Sequence, residues 1–228
     1  MAALNSASGG ANATAGERAY EWTREAILSG RFPEGSFLEE KIVCEEAGVS
    51  RTPVREAFRR LAAERFVDLL PRRGAQVRPV TALELVETYE MRSLLELHGF
   101  EILCSKRIPV PPSLENHLDL MEDPERVEAI KRGDRDAINE HAKMDYFFHS
   151  SLIRAAGNSV HAELFETLRP RQQRIAVTAV SLRPHRLSVI APQHRAIYEA
   201  LVRFDFDTAA QTLRQHLSPD EAVIAHMR

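Results

Sequence analysis

The chain has 228 residues, 44% of them hydrophobic and 28% charged, with a formal net charge of −3. That length suits one large domain or two ordinary ones, and the apolar share is enough for packed cores, which excludes a disordered or fibrous chain. The net charge alone argues against a nucleic-acid binder, and two cysteines are too few for a disulfide framework or a four-cysteine zinc site.

Cys44 and Cys104 lie in apolar helical contexts and read as buried structural thiols. There is no basic-then-apolar leader, and no apolar run approaches the roughly 18 residues of a membrane span. A cytoplasmic protein with no membrane partner is expected.

In chain order, residues 1–16 are mostly Ala, Gly, Ser, Asn and Thr without periodicity, the composition of a disordered tail. A first helix is predicted over 17–29, with Gly30 as its stop and Pro33 beyond. A second covers 39–47 and buries Ile42, Val43 and Ala47. Gly48 closes it, and Ser50 is placed to cap the next helix with its hydroxyl. Pro53 falls in that helix's first turn, where its missing N–H costs little. Val54, Ala57, Phe58 and Leu61 follow the i, i+3, i+4, i+7 spacing of a buried face. Arg51 and Arg55 share the opposite face, near the helix start. A basic tip with an apolar back suits a DNA recognition helix, though a surface helix with solvated arginines has the same pattern.

Short strands are predicted over 66–70 and 75–78, around the turn Pro71-Arg72-Arg73-Gly74. Three helices and a basic hairpin make a winged helix-turn-helix over residues 17–78. From residue 51 to 78, eight arginines stand against Glu56, Glu64 and Asp68. A short basic stripe in a protein of negative net charge is the electrostatic footprint of a modular DNA reader.

This segment resembles the GntR family of bacterial transcription regulators. The matching residues are Gly30-Arg31-Phe32-Pro33-Glu34-Gly35, Leu38-Glu39-Glu40, Gly48 through Ala57, and Arg73-Gly74-Ala75-Gln76-Val77. Phe58 stands where the family usually has Leu, and Arg65-Phe66 replaces the usual Gly-Leu that ends the recognition helix. The resemblance implies that Arg51 and Arg55 meet base edges or flanking phosphates and Thr52 a phosphate. Gly74, at the wing tip, would let backbone approach the minor groove.

Residues 79–82 read as a linker, and residues 83–228 as an all-α bundle, so the fold class is mainly α. Thr81 and Glu84 form a candidate capping box for a long helix reaching about residue 106, with Leu83, Val86, Leu94 and Leu97 buried. Further helices are predicted over 113–121, 124–132, 135–156, 159–179, 191–203 and 208–226. Pro170 and Pro219 should kink or interrupt theirs.

Asp145 and His149 lie four apart on one predicted helix face. His194 and His216 fall on the last two helices, which an antiparallel turn can bring level. Together they offer three imidazoles and a carboxylate, a set suited to a divalent metal: zinc first, then nickel or manganese. Spacing alone leaves the ordinary alternative open, that each is a core or surface histidine. His141, one turn before Asp145, is either a supporting residue or solvent-facing.

The second half resembles the FCD ligand-sensing domain of the FadR-type branch of the GntR family. The residues that carry this are Asp145 with His149, Ala156-Gly157-Asn158, Gln193-His194-Arg195-Ala196-Ile197, Asp207, and Arg214-Gln215-His216-Leu217. In that family the four positions Asp145, His149, His194 and His216 bind a metal inside the bundle. Gln193 replaces a common Glu and is not a ligand. Arg92 matches a helix face turned toward the ligand cavity, while its plain reading is a surface ion pair with Glu96.

These readings predict a homodimeric repressor that binds double-stranded operator DNA, is not an enzyme, and responds to a small organic-acid effector held by the metal and Arg92. The same residues are compatible with two alternatives. One is a metal-dependent hydrolase with a DNA-binding appendage. The other is a constitutive DNA binder with a structural metal.

Overall fold

The structure, a computed structural model, describes residues 13–71 and 73–227. Two compact units meet between Arg78 and Pro79. Most of the predicted tail, residues 1–12, lies outside the described residues.

The first unit starts with α1 (Ala15–Leu28), two residues before its predicted start. Thr14 is the reason: its hydroxyl accepts from the Glu17 amide, and the Glu17 carboxylate accepts from the Thr14 amide at 2.7 Å. That reciprocal box extends the helix into residues predicted to be tail. After β1 (Phe37–Leu38) come α2 (Glu40–Ala47), α3 (Arg51–Ala63), β2 (Val67–Leu70) and β3 (Gly74–Val77). The sheet has three strands, not the predicted two. β3 lies in the middle and pairs antiparallel with both neighbours, Leu38 opposite Ala75 and Val67 opposite Val77. A two-residue strand has no periodicity to read, so sequence alone does not find β1.

Gly48 ends α2 at φ +64°, as expected of a C-terminal glycine. Ser50 occupies the N-cap position of α3, but its hydroxyl makes no capping bond. Val43 is fully buried, whereas Ile42 and Ala47 are only half-buried. Val54, Ala57, Phe58 and Leu61 form the buried face of α3 as their spacing requires.

α3 closes without a glycine. Arg65 takes φ +63°, its amide donates to the Ala62 carbonyl, and the Phe66 amide donates to Leu61. These are the two bonds of a Schellman cap, sealed by contact-ready apolar residues, Leu61 and Phe66, both fully buried.

The second unit is wholly helical among the described residues. It comprises α4 (Ala82–Ser105), α5 (Ser113–Met121), α6 (Pro124–Lys131), α7 (Arg135–Ala155), α8 (Ser159–Thr167), α9 (Arg169–Leu182), α10 (Leu187–Val202), α11 (Phe206–His216) and the short α12 (Glu221–Ile224). Phe100, Leu103, Leu114, Leu118, Phe148, Leu152, Ile197, Leu201 and Leu213 form its main core. Pro170 splits the predicted 159–179 helix into α8 and α9, and Pro219 ends α11, as expected. α10 begins earlier than predicted and carries Pro192 inside it. Leu187 anchors that extra turn by packing with Ile130, Ile138 and Val180, which offsets the missing N–H.

The face assigned to α4 is corrected. Leu83 and Leu94 are 66% and 64% exposed, and the buried positions are Leu85, Thr88, Arg92, Glu96, Gly99, Phe100 and Leu103. α4 has apolar residues on every side, so periodicity does not say which side meets the bundle. Thr81 does cap it, accepting from the Glu84 amide at 3.1 Å. Both cysteines are half-buried, not buried, and free. Among the described residues no helix is long and apolar enough to cross a membrane.

Candidate functional site

In the first unit, Arg51, Thr52 and Arg55 all project from the start of α3 and are exposed. With Lys41, Arg59 and Arg73 these arginines line an open cleft of about 600 Å³ between α3 and the hairpin. The cleft is rich in cations on a concave surface, the geometry a phosphate-bearing partner needs. Arg55 is not free-swinging: its Nε donates to Glu40 Oε1 at 2.8 Å. That bond, made by a neighbouring helix, raises the Arg55 pKa further and ties the side chain to Glu40, which also lines the cleft. Gly74 has a reason to be glycine that the sequence did not disclose. It takes φ +84°, and a Cβ there would stand 2.8 Å from the Leu38 carbonyl of β1. The central strand and its edge partner approach too closely for any side chain.

In the second unit the four predicted ligand residues converge. Asp145 and His149 come from α7, His194 from α10 and His216 from the end of α11. One potential ligand atom from each lies within 4.8 Å of all the others, and all four residues are buried. His194 Nε2 is 3.1 Å from Asp145 Oδ1 and 3.1 Å from His149 Nε2.

Local structure produces this meeting. α10 and α11 run antiparallel across a turn in which Phe204 takes φ +57° and the Asp205 amide donates to Ala200. The Asp205 carboxylate then caps α11 at the Thr208 amide. His194 lies eight residues before the end of α10 and His216 ten residues after the start of α11, so the two rings come level. Their centroids are 4.5 Å apart.

Glu96 and Gln193, to which the sequence assigned no part in the cluster, orient these rings. His149 Nδ1 donates to Glu96 Oε2 at 2.5 Å, which leaves His149 Nε2 with its lone pair turned into the cluster. His216 Nδ1 faces Gln193 Oε1 at 3.3 Å, the same arrangement with a neutral partner. Glu96 also accepts from Arg92 Nε at 2.8 Å. The predicted Arg92–Glu96 pair therefore exists, but it is buried rather than on the surface, and Arg92 Nη1 reaches within 3.9 Å of Asp145. The four-residue spacing was the signal that could have found Glu96, had the buried face of α4 been known.

Electrostatics favour a cation. Burial pushes the Asp145 carboxyl up, but the hydrogen bond from His194 and the nearby Arg92 guanidinium outweigh it and hold it well below the usual carboxylate range. Burial lowers His149 despite Glu96, and burial with the neighbouring imidazoles lowers His216. Neutral imidazoles beside an ionised carboxylate are the protonation states in which these groups ligate a metal. His149 Nε2 and His194 Nε2 stand 3.1 Å apart, a separation that one shared proton bridges and that two imidazole ligands of one divalent ion also adopt.

Beside the cluster lies a cavity of about 40 Å³ lined by Tyr89, Arg92, His141, Asp145, Gln172 and His216, with an aliphatic wall from α9 and α10. His141 belongs to this cavity rather than to solvent. Burial pushes its pKa down to about 4, against the pull of Asp145.

Comparison with known proteins accounts for both units. Residues 15–77 match the family described as bacterial regulatory proteins, gntR family, and residues 87–219 match the FCD domain. The chain is 32% identical to the gluconate operon transcriptional repressor of Bacillus subtilis over 203 residues, covering 87% of this chain and 79% of that one. It is 30% identical over 200 residues to a probable D-xylose utilization operon transcriptional repressor of Paenarthrobacter nicotinovorans, covering 88% and 84%. A solved structure of a candidate GntR transcriptional regulator from Rhodococcus sp. RHA1 superposes with a TM-score of 0.72 at 27% identity, covering 93% of this chain and 99% of that one. The chain belongs to the GntR family of bacterial transcriptional regulators, with an FCD domain behind its winged helix-turn-helix.

Proposed function

We propose that this protein is a homodimeric repressor whose operator affinity is altered by a small carboxylate bound beside a metal site in the FCD domain. The observation that carries this reading is the convergence of Asp145, His149, His194 and His216 next to Arg92, whose Nη2 is buried without a hydrogen-bond partner. A divalent ion held there, zinc before nickel or manganese, supplies net positive charge and open coordination positions. Arg92 adds a guanidinium edge that suits a carboxylate. Arg51, Thr52, Arg55 and the Gly74 wing supply the contacts to each half of an inverted-repeat operator. Leu94 on α4 and Val160 and Leu164 on α8 are large apolar side chains left exposed, which supports a second copy of the chain as partner.

Family membership puts regulation ahead of a hydrolase. The test is titration of an operator, selected in vitro from random DNA, in the presence of a panel of organic acids, with metal-loaded and chelator-treated protein. A carboxylate that shifts operator affinity only in loaded protein supports the reading. Unchanged DNA binding with every acid points instead to a constitutive binder with a structural metal.

A further inference from the structure

We infer that His141 and Gln172 form a hydroxyl-reading pair that restricts the ligand of this cavity to short 2-hydroxy acids. The inference rests on the proposed carboxylate reading and sharpens it. Four polar atoms on the cavity lining are buried and have no hydrogen-bond partner within the protein: Arg92 Nη2, His141 Nδ1, and both Nε2 and Oε1 of Gln172. All three residues are at most 4% exposed. Buried polar atoms are almost always hydrogen-bonded, so the gathering of four unsatisfied ones on one cavity marks the complement of a ligand.

The chemistry of the atoms selects the ligand. Arg92 offers a donor to a carboxylate. Gln172 presents a free donor and a free acceptor together, and a carboxylate, which only accepts, satisfies just one of them. A hydroxyl both donates and accepts, and so answers the carboxamide while the His141 nitrogen takes its remaining bond. These side chains come from α4, α7 and α9, so the carboxylate and hydroxyl are read from different sides. Ile175, Ala179, Val180 and Ile190 add an aliphatic wall that suits a short aliphatic substituent, and Arg183 and Arg186 add positive charge that suits an acid. A volume of about 40 Å³ is small beside the roughly 150 Å³ that holds a benzene-sized ligand, so the cavity favours the shortest acids over a six-carbon sugar acid.

The test is calorimetry on purified, metal-loaded, full-length protein with L-lactate, propionate (the same chain without the hydroxyl) and gluconate. Lactate should bind roughly 10–100-fold more tightly than propionate, the effect of one buried hydroxyl contact and the groups its loss leaves unpaired. Gluconate should bind more weakly than lactate. Gln172→Leu should bring lactate and propionate to within about threefold, chiefly by weakening lactate. Gln172→Met, unbranched and of similar length, serves if the Leu variant does not fold. Equal affinity for lactate and propionate in the unaltered protein overturns the hydroxyl pair, with ordered water then filling the cavity, but leaves the carboxylate reading standing. A lactate preference that survives removal of the carboxamide also overturns it, and gluconate binding tighter than lactate overturns the size limit. No heat with any acid overturns both readings.

Discussion

Glu96 grips His149 by the ring nitrogen that faces away from the cluster: Oε2 and Nδ1 are 2.5 Å apart, and both residues are fully buried. The contact fixes the tautomer and makes the opposite nitrogen a better ligand. Glu96→Gln keeps the shape and removes the charge. Metal affinity is expected to fall about 10–100-fold in competition with a chromogenic chelator. Unaltered affinity in a folded variant would mean that Glu96 serves only to neutralise Arg92.

The ligand set itself is tested by removing His194 and His216 together. The double Ala variant should purify without stoichiometric metal by elemental analysis. About one metal per chain in that variant would move the site elsewhere and leave the histidines as core residues.

Arg55, held by Glu40 at 2.8 Å, is expected to make a specific DNA contact. Arg55→Ala should weaken binding to a selected operator by about 1–3 kcal/mol if the contact is bidentate to a base. Glu40→Gln should leave fold stability almost unchanged, because the Arg55 partner is exposed and solvent screens the pair. An Arg55→Ala variant that shifts the operator in a gel as well as the parent does would remove Arg55 from the interface.

Arg65 occupies a left-handed backbone conformation at φ +63°, where the family usually has glycine. Arg65→Gly should stabilise the first unit by about 0.5–1 kcal/mol, and a β-branched residue should destabilise it. Urea unfolding followed through Trp22, which packs edge-on against Phe32 in that unit, reads the change directly. A glycine variant less stable than the parent would show that the arginine side chain contributes more than its backbone strain costs.

Burial holds His141 at about pKa 4 in the folded protein, against about 6.5 in the unfolded chain. The unfolded state therefore takes up the proton first, and the folded state loses stability as pH falls from about 6.5 toward 4. His149 and His216, also depressed, add to the slope, so the comparison is made against a variant. Between pH 7 and pH 5 the parent should lose roughly 2 kcal/mol more than His141→Gln. Parallel pH profiles for the two would show that His141 is charged or solvated in the folded state.

Whatever depends on neighbours along the chain was legible before any fold was known. The buried face of α3, the breaks at Pro170 and Pro219, and the Gly48 turn follow from periodicity and from backbone constraints that act over a few residues. Asp145 and His149 needed only a helix to share a face. Tertiary structure decided everything that required one element to know about another. It chose which side of α4 faces the bundle, because apolar residues cover that helix all round, and so turned Arg92–Glu96 from a surface pair into a buried support for His149. It added β1, two residues long, and with it the close approach that makes Gly74 necessary. It kept α10 helical through Pro192 because Leu187 has a pocket to fill. It also gathered Arg92, His141 and Gln172 from three helices around one cavity. Their sequence separation carries no signal of that contact, since helix packing rather than local spacing sets the distance between them.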